Sequence, residues 1–138
     1  MSTSTILYKG ELSTEATHVK SGSTLSTDAP IDNNGLGRTF SPTDLLATSL
    51  ANCMLTIMGI RAQKSDWNID GTSASVTKIM DSNPRRVAEI IVEIEIVDRG
   101  LNEGHRTILE KAALECPVAK SLSETLKQTV TFSYKKSN

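Results

Sequence analysis

One segment limits most strongly what this chain can fold into. From Ser41 to Ile60 the sequence reads Ser-Pro-Thr-Asp-Leu-Leu-Ala-Thr-Ser-Leu-Ala-Asn-Cys-Met-Leu-Thr-Ile-Met-Gly-Ile. Ser41 is a capping residue, Pro42 fits a first helical turn, and Asp44 favours the positive end of a helix dipole. Leu46, Leu50, Cys53, Ile57 and Ile60 alternate in spacings of four and three, which is one face of a helix. A second stripe, Thr48, Asn52, Thr56, Gly59 and Gln63, is small or polar and lets another helix come close. The segment therefore predicts a long helix buried on most of its sides. Thr48, Ser49, Asn52 and Thr56 interrupt the apolar stretch Leu45 to Ile60, which reads as too short and too polar to cross a bilayer.

The rest of the chain supplies strands to cover such a helix. Ile6 to Leu12, Glu15 to Lys20 and Ser23 to Asp28 read as short strands, punctuated by Gly10 and Ser21-Gly22. Asp28 to Thr39, with Pro30, Asn33, Asn34, Gly35 and Gly37, reads as a loop. After the helix, Ile69 to Met80 predicts a strand and Asp81-Ser82-Asn83-Pro84 a turn. Arg86 to Asp98 alternates, with Ala88, Ile90, Val92, Ile94 and Ile96 on one side and Glu89, Glu93 and Glu95 on the other. Asn102 to Glu115 predicts a second helix with Ile108, Leu109, Ala112 and Ala113 buried. Pro117 breaks it, and a third helix follows to about Leu126. Val130, Phe132 and Tyr134 mark a last strand. The order predicts an α+β fold in one domain, 1–138, with an antiparallel sheet packed on the long central helix.

Composition narrows the function classes. A chain of 138 residues buries a core without disulfide staples. A formal net charge of −1 favours neither nucleic acid nor an anionic membrane, and 4% aromatic residues are too few for base-stacking platforms. Met1 to Thr5 holds no basic leader followed by an apolar run, so a cytoplasmic location is expected. A disulfide formed there would be transient.

The chemistry concentrates on two cysteines. Cys116 directly precedes Pro117, which places it at or near a helix N-cap, where free amides and the dipole favour a thiolate; the alternative is a small hydrophobe packed in a helix joint. Cys53 lies deep inside its helix on the apolar face, where a packed core cysteine is the ordinary reading. Asp44 sits about 13 Å along the axis from Cys53, at 1.5 Å of rise per residue, so it does not touch that thiol. A nucleophilic Cys53 needs a cation from elsewhere in the chain or from a partner. His18 and His105 lie in no metal-ligand spacing with the cysteines, and no metal site is expected. Asp28, Asp32 and Asp81 read as turn aspartates, and Gly35-Leu36-Gly37-Arg38 only superficially resembles a phosphate loop.

Several stretches together resemble the OsmC/Ohr family, the osmotically inducible and organic hydroperoxide resistance proteins. They are His18-Val19-Lys20-Ser21-Gly22, Asp28-Ala29-Pro30, Phe40-Ser41-Pro42-Thr43-Asp44-Leu45-Leu46, Asn52-Cys53-Met54-Leu55-Thr56, Asn83-Pro84-Arg85-Arg86-Val87, and Glu115-Cys116-Pro117-Val118 followed by Ser121-Leu122. The resemblance implies an intertwined homodimer with the central helices at its interface. It implies that Cys53 is the peroxidatic nucleophile and that Cys116 resolves its sulfenic acid. It further implies an activating cation on an early strand, best matched by Lys20 with Arg38 as second candidate, and a supporting carboxylate, matched by Asp44. Lysine lacks the planar fork of the family's arginine. The expected activity is reduction of organic hydroperoxides without metal or organic cofactor, the disulfide being reduced by an external dithiol of lipoyl type. Leu50, Met54 and Ile57 around Cys53 suit an alkyl hydroperoxide. The alternative is a non-catalytic dimer that holds an apolar small molecule. A protein disulfide oxidoreductase fits less well, because no Cys-x-x-Cys spacing is present.

Overall fold

Turn-forming residues punctuate the N-terminal stretch, and short strands form between them. The computed structural model describes residues 1–138 as β1 (Ser4–Gly10), β2 (Ser13–His18), β3 (Thr24–Asp28), a 3-10 turn (Ile31–Asn33), α1 (Pro42–Lys64), β4 (Ser73–Asp81), β5 (Arg86–Asp98), α2 (Glu103–Leu114), α3 (Pro117–Ser121) and β6 (Lys127–Lys136). The chain divides into two compact units, Met1–Leu46 and Ala47–Asn138, and α1 runs across the boundary.

In the first unit, β1, β2 and β3 form an antiparallel sheet in sequence order, with Ser4 opposite His18 and Ser13 opposite Asp28. The loop after β3 folds back on the strand it leaves. Phe40 accepts the Asp28 N–H at 3.1 Å, and Leu12 accepts the Ala29 N–H at 2.9 Å. Gly35 is required there, because a Cβ at that position would lie 1.8 Å from the Ala29 carbonyl oxygen. Gly37, at φ +61, supplies the left-handed residue that aims its N–H at Ala29. At the head of α1, Ser41 Oγ accepts the Asp44 N–H at 3.1 Å while the Asp44 carboxylate accepts the Ser41 N–H at 2.9 Å. This is a capping box built with aspartate.

The second unit holds the main core. β4 pairs antiparallel with β5, and β5 pairs parallel with β6, so this sheet is mixed rather than antiparallel throughout. The reason is the connection: α2 and α3 form a crossover from the end of β5 back to the start of β6, which only a parallel pair requires. Ile90, Val92, Ile94 and Ile96 of β5 are buried with Leu50, Met54 and Met58 of α1, Leu109 and Ala113 of α2, and Cys116. The alternation slips once. Ile79 faces Glu89 but Met80 faces Val87, so Ala88 is an extra residue in β5 and Val87 turns inward in its place.

Three sequence expectations about the helices change here. The buried residues of α1 are Ala47, Leu50, Ala51, Met54, Met58 and Ala62, a face rotated away from the predicted stripe; Leu46 and Ile60 are exposed. Only one side of the helix meets the core of this chain, and Asn52, Thr56 and Gln63 are exposed. The helix also extends to Lys64, so by length and composition it is able to cross a membrane, contrary to the shorter span read from sequence. Its buried face packs on its own sheet and on α2, as the core helix of a folded unit does. The predicted third helix stops early. Leu122 is extended at φ −80, ψ 151, and Ser123 and Thr125 form a hydroxyl-linked turn before β6.

A buried ion pair turns β5 into α2. Asp98 accepts the Gly100 and Leu101 N–H groups at 2.9 and 2.7 Å and pairs with Arg106 at 2.6 Å. The Arg106 guanidinium lies 4.1 Å over the Tyr134 ring of β6, and the Tyr134 hydroxyl donates to Glu110 of α2. These contacts fix α2 on the sheet, and Cys116 lies just beyond the far end of α2.

Candidate functional site

Cys116 is held by three local features. α2 ends at Leu114, and the Cys116 N–H reaches the Ala113 carbonyl at 3.3 Å. Pro117 opens α3 with Cys116 in extended geometry as its N-cap, and Sγ accepts the Ala119 N–H at 3.4 Å. Gln128 of β6 donates to the Ala119 carbonyl at 3.0 Å and so anchors α3 to the sheet. The cysteine itself has no exposed surface.

Both sequence readings of this residue hold at once, since it caps a helix and it is packed. Their electrostatic consequences conflict, and burial wins. Burial pushes the Cys116 thiol above its ordinary pKa, the Ala119 amide pulls it down, and hydrogen bonding with Cys53 pushes it up again. Burial therefore favours the neutral thiol at Cys116, against the thiolate that an N-cap alone would favour. A dipole from a helix of five residues is too weak to offset full desolvation.

Cys53 lies on α1, partly buried and packed against the core cluster that contains Cys116, near enough to disfavour the Cys116 thiolate. Both thiols are free. Two cysteines far apart in sequence thus meet inside one unit, on a rigid helix and at a capped turn. Ala51 and Met54 of α1 are buried beside Cys53 in sequence, and Leu50 lies one turn before it.

The other predicted site residues lie in the first unit. β2 ends at His18, so Lys20 is not on a strand, as expected from sequence, but in the exposed turn that follows. That turn is closed by Gly22 N–H to the His18 carbonyl at 2.7 Å and by His18 Nδ1 with the Ser21 hydroxyl at 2.6 Å. The Asp44 carboxylate serves the helix cap described above.

Sequence reasoning missed Asp28. It reads as an ordinary turn aspartate, yet its side chain is 4% exposed and bound three times by Arg38. Arg38 Nε donates to Oδ2 at 2.8 Å, Nη2 to Oδ1 at 3.1 Å, and the Arg38 backbone N–H to Oδ2 at 2.9 Å. The arginine hydrogen bond is the main reason that the Asp28 pKa falls to about 2 against the opposing effect of burial. The side-on fork leaves Nη1 of Arg38 uncommitted to Asp28, and the arginine side chain is 55% exposed. No local sequence pattern marks this clasp, which forms only because the Gly35-Gly37 loop folds back on the end of β3. No three His, Cys, Asp or Glu side chains converge as a metal-ligand set.

The fold is mixed α+β, with Cys53 of the long helix packed against the core cluster that holds Cys116 at its Cys-Pro cap. A sequence profile described as OsmC-like protein matches residues 35–131, and the chain belongs to the OsmC-like family. A crystal structure from Psychrobacter arcticus, described as an osmotic stress induced and detoxification response protein, shares 48% identity. It superposes with a TM-score of 0.91 over 96% of both chains. An OsmC-like protein from Mycoplasma pneumoniae is 21% identical, with a TM-score of 0.76, and covers 95% of this chain and 94% of its own. An organic hydroperoxide resistance protein OsmC from Legionella pneumophila is 19% identical, with a TM-score of 0.70, over 96% of this chain and 98% of its own. These last two share the fold. Comparison with proteins of curated function gives no match.

Proposed function

We propose that this chain is a cysteine-based peroxidase that reduces organic hydroperoxides and works as a cytoplasmic homodimer. The observation that carries the proposal is the packing of a partly buried Cys53 against the core cluster in which Cys116 is fully buried. The Cys53 thiolate attacks the terminal oxygen of the hydroperoxide. The O–O bond breaks, the alkoxide leaves and takes a proton, and Cys53 becomes a sulfenic acid. The Cys116 sulfur then attacks the Cys53 sulfur and expels water, which leaves a disulfide. An external dithiol of lipoyl type returns both thiols. The family membership and the hydroperoxide-resistance relative support this chemistry.

Arg38 is the stronger candidate for the activating cation. Its guanidinium is held in plane by Asp28 and keeps donors free, whereas Lys20 is a flexible point charge on an exposed turn. The role requires Arg38 to reach Cys53 of its own chain or of a second copy. The test separates the two cysteines. Cys53→Ser should abolish hydroperoxide consumption. Cys116→Ser should allow a single turnover and leave a sulfenic acid on Cys53, detected with a dimedone probe. Labelling of Cys116 in the Cys53→Ser protein would reverse the assignment.

A further inference from the structure

On the core-facing side of β6, Val130, Phe132 and Tyr134 pack against the main core. By the alternation of the strand, Gln128 shares that side, and it is half-buried. Its neighbour across the parallel pair is Ile90, which has no exposed surface. An amide on such a face costs free energy unless it is hydrogen-bonded. A directed bond offsets that cost: Gln128 Nε2 donates to the Ala119 carbonyl of α3 at 3.0 Å.

α3 needs such a bond. It has five residues, Pro117–Ser121, and Leu122 beyond it is extended. A helix that short does not hold its own shape. Val118, Ala119 and Leu122 pack against the core, but apolar contact is non-directional and leaves the segment free to rotate. The Gln128 bond fixes the Ala119 carbonyl, and the N–H of the same residue holds the Cys116 sulfur at 3.4 Å. The path from β6 to the thiol therefore passes through Ala119. We propose that Gln128 is a positioning residue: by locking Ala119 it aims the Cys116 sulfur at Cys53 for disulfide closure.

The inference rests on the peroxidase reading for the sulfenic acid that Cys116 meets. In that step Cys116 gives up its proton and its sulfur bonds to the Cys53 sulfur. The S–O bond breaks with its electron pair, and the oxygen leaves as water. Cys116 is oxidised and the Cys53 sulfur is reduced. Such a displacement depends on how the incoming sulfur is lined up with the bond that breaks. Gln128 bonds to Ala119 rather than to either sulfur, so its loss slows closure and spares the oxidation of Cys53.

Dithiodipyridine reads the same alignment without peroxide. The Cys53 thiolate bonds to one reagent sulfur, the reagent S–S bond breaks, and a first thiopyridone leaves. The Cys116 thiolate then bonds to the Cys53 sulfur, the bond to the remaining pyridyl sulfur breaks, and a second thiopyridone leaves. The experiment adds one equivalent per chain to the parent, Gln128→Met and Gln128→Glu, with folding checked by near-ultraviolet circular dichroism. Methionine has no donor, and glutamate keeps the shape without the N–H. Gln128→Asn, with its amide set too far back to reach, replaces a variant that does not fold. The first release should match the parent, and the second should slow by about tenfold or more. Cys116→Ser should give the first release only. A merely structural Gln128 would act the other way, because a loosened core exposes both thiols and speeds both releases. A second release as fast as the parent's in a folded variant, or no second release from the parent, would overturn the proposal. If the second release slows in the variants but hydroperoxide leaves both parent thiols reduced, the positioning role stands and the peroxidase reading fails.

Discussion

Asp28 and Cys116 are both buried acids, and the same desolvation meets opposite outcomes at the two. At Asp28 the Arg38 fork outweighs burial and holds the carboxylate pKa at about 2. At Cys116 no cation answers burial, and the thiol is pushed up. Each has a consequence in pH. The unfolded chain protonates an aspartate near pH 4, so the stabilisation from Asp28 is complete above that value and is lost as the pH falls towards about 2. Acid titration of the parent and of Asp28→Asn should show this extra loss in the parent alone; parallel curves would contradict it. For Cys116 the reactive form is the thiolate, so closure of the disulfide from a Cys53 sulfenic acid should accelerate as pH rises from about 6 to 9. Rapid-mixing measurement of disulfide formation tests this, and a flat profile would mean that burial does not control the resolving thiol. Arg38→Met should slow hydroperoxide reduction more than Lys20→Met does, measured as kcat/KM at neutral pH. The reverse order would return the activating role to Lys20.

At the scale of elements, α1 carries the clearest lesson. Its start at Ser41-Pro42 and its helical character were legible from capping and periodicity, and so were the bounds of β5, where Ile90, Val92, Ile94 and Ile96 alternate with other residues, but not the bulge that turns Val87 inward in place of Ala88. The buried face of α1 was not legible. Leu46 and Ile60 look more apolar than Ala47 or Ala62, but the helix is apolar or small all round, and hydropathy does not rank one face over another. The buried positions of α1 hold small alanines and the adaptable Met54 and Met58. The juxtaposition of Cys53 with Cys116 was implied by family resemblance and not by spacing, and the Asp28–Arg38 clasp depends on loop closure that no local pattern encodes. Leu50→Ala should cost about 2–5 kcal/mol in denaturant unfolding, since Leu50 is fully buried. Gly59 gives a sharper test, because a Cβ there meets nothing within 4 Å in this chain. If nothing covers it, Gly59→Ala stabilises the helix by about 1 kcal/mol. Should a second copy pack on the Thr48, Asn52, Thr56 and Gly59 stripe, as proposed, Gly59→Leu costs about 1–3 kcal/mol and weakens association.

For the molecule as a whole, two features call for a partner. α1 leaves much of its surface uncovered, and the first unit exposes Ile6, Leu7, Tyr8 and Leu25 on its sheet. Light scattering at micromolar concentration should therefore give twice the chain mass for the parent and less for Gly59→Leu; a stable monomer for the parent would sink the homodimer. The central claim, that the cysteine pair is a peroxide-reducing device, has a more direct test. One equivalent of cumene hydroperoxide is added to fully reduced protein in the absence of any reductant, and free thiols are then counted under denaturing conditions. The account predicts that both thiols of each chain disappear together, that one equivalent of cumyl alcohol forms, and that dihydrolipoamide restores both thiols. Retention of both thiols with the hydroperoxide unconsumed would contradict it, and would favour a dimer that binds an apolar small molecule without chemistry.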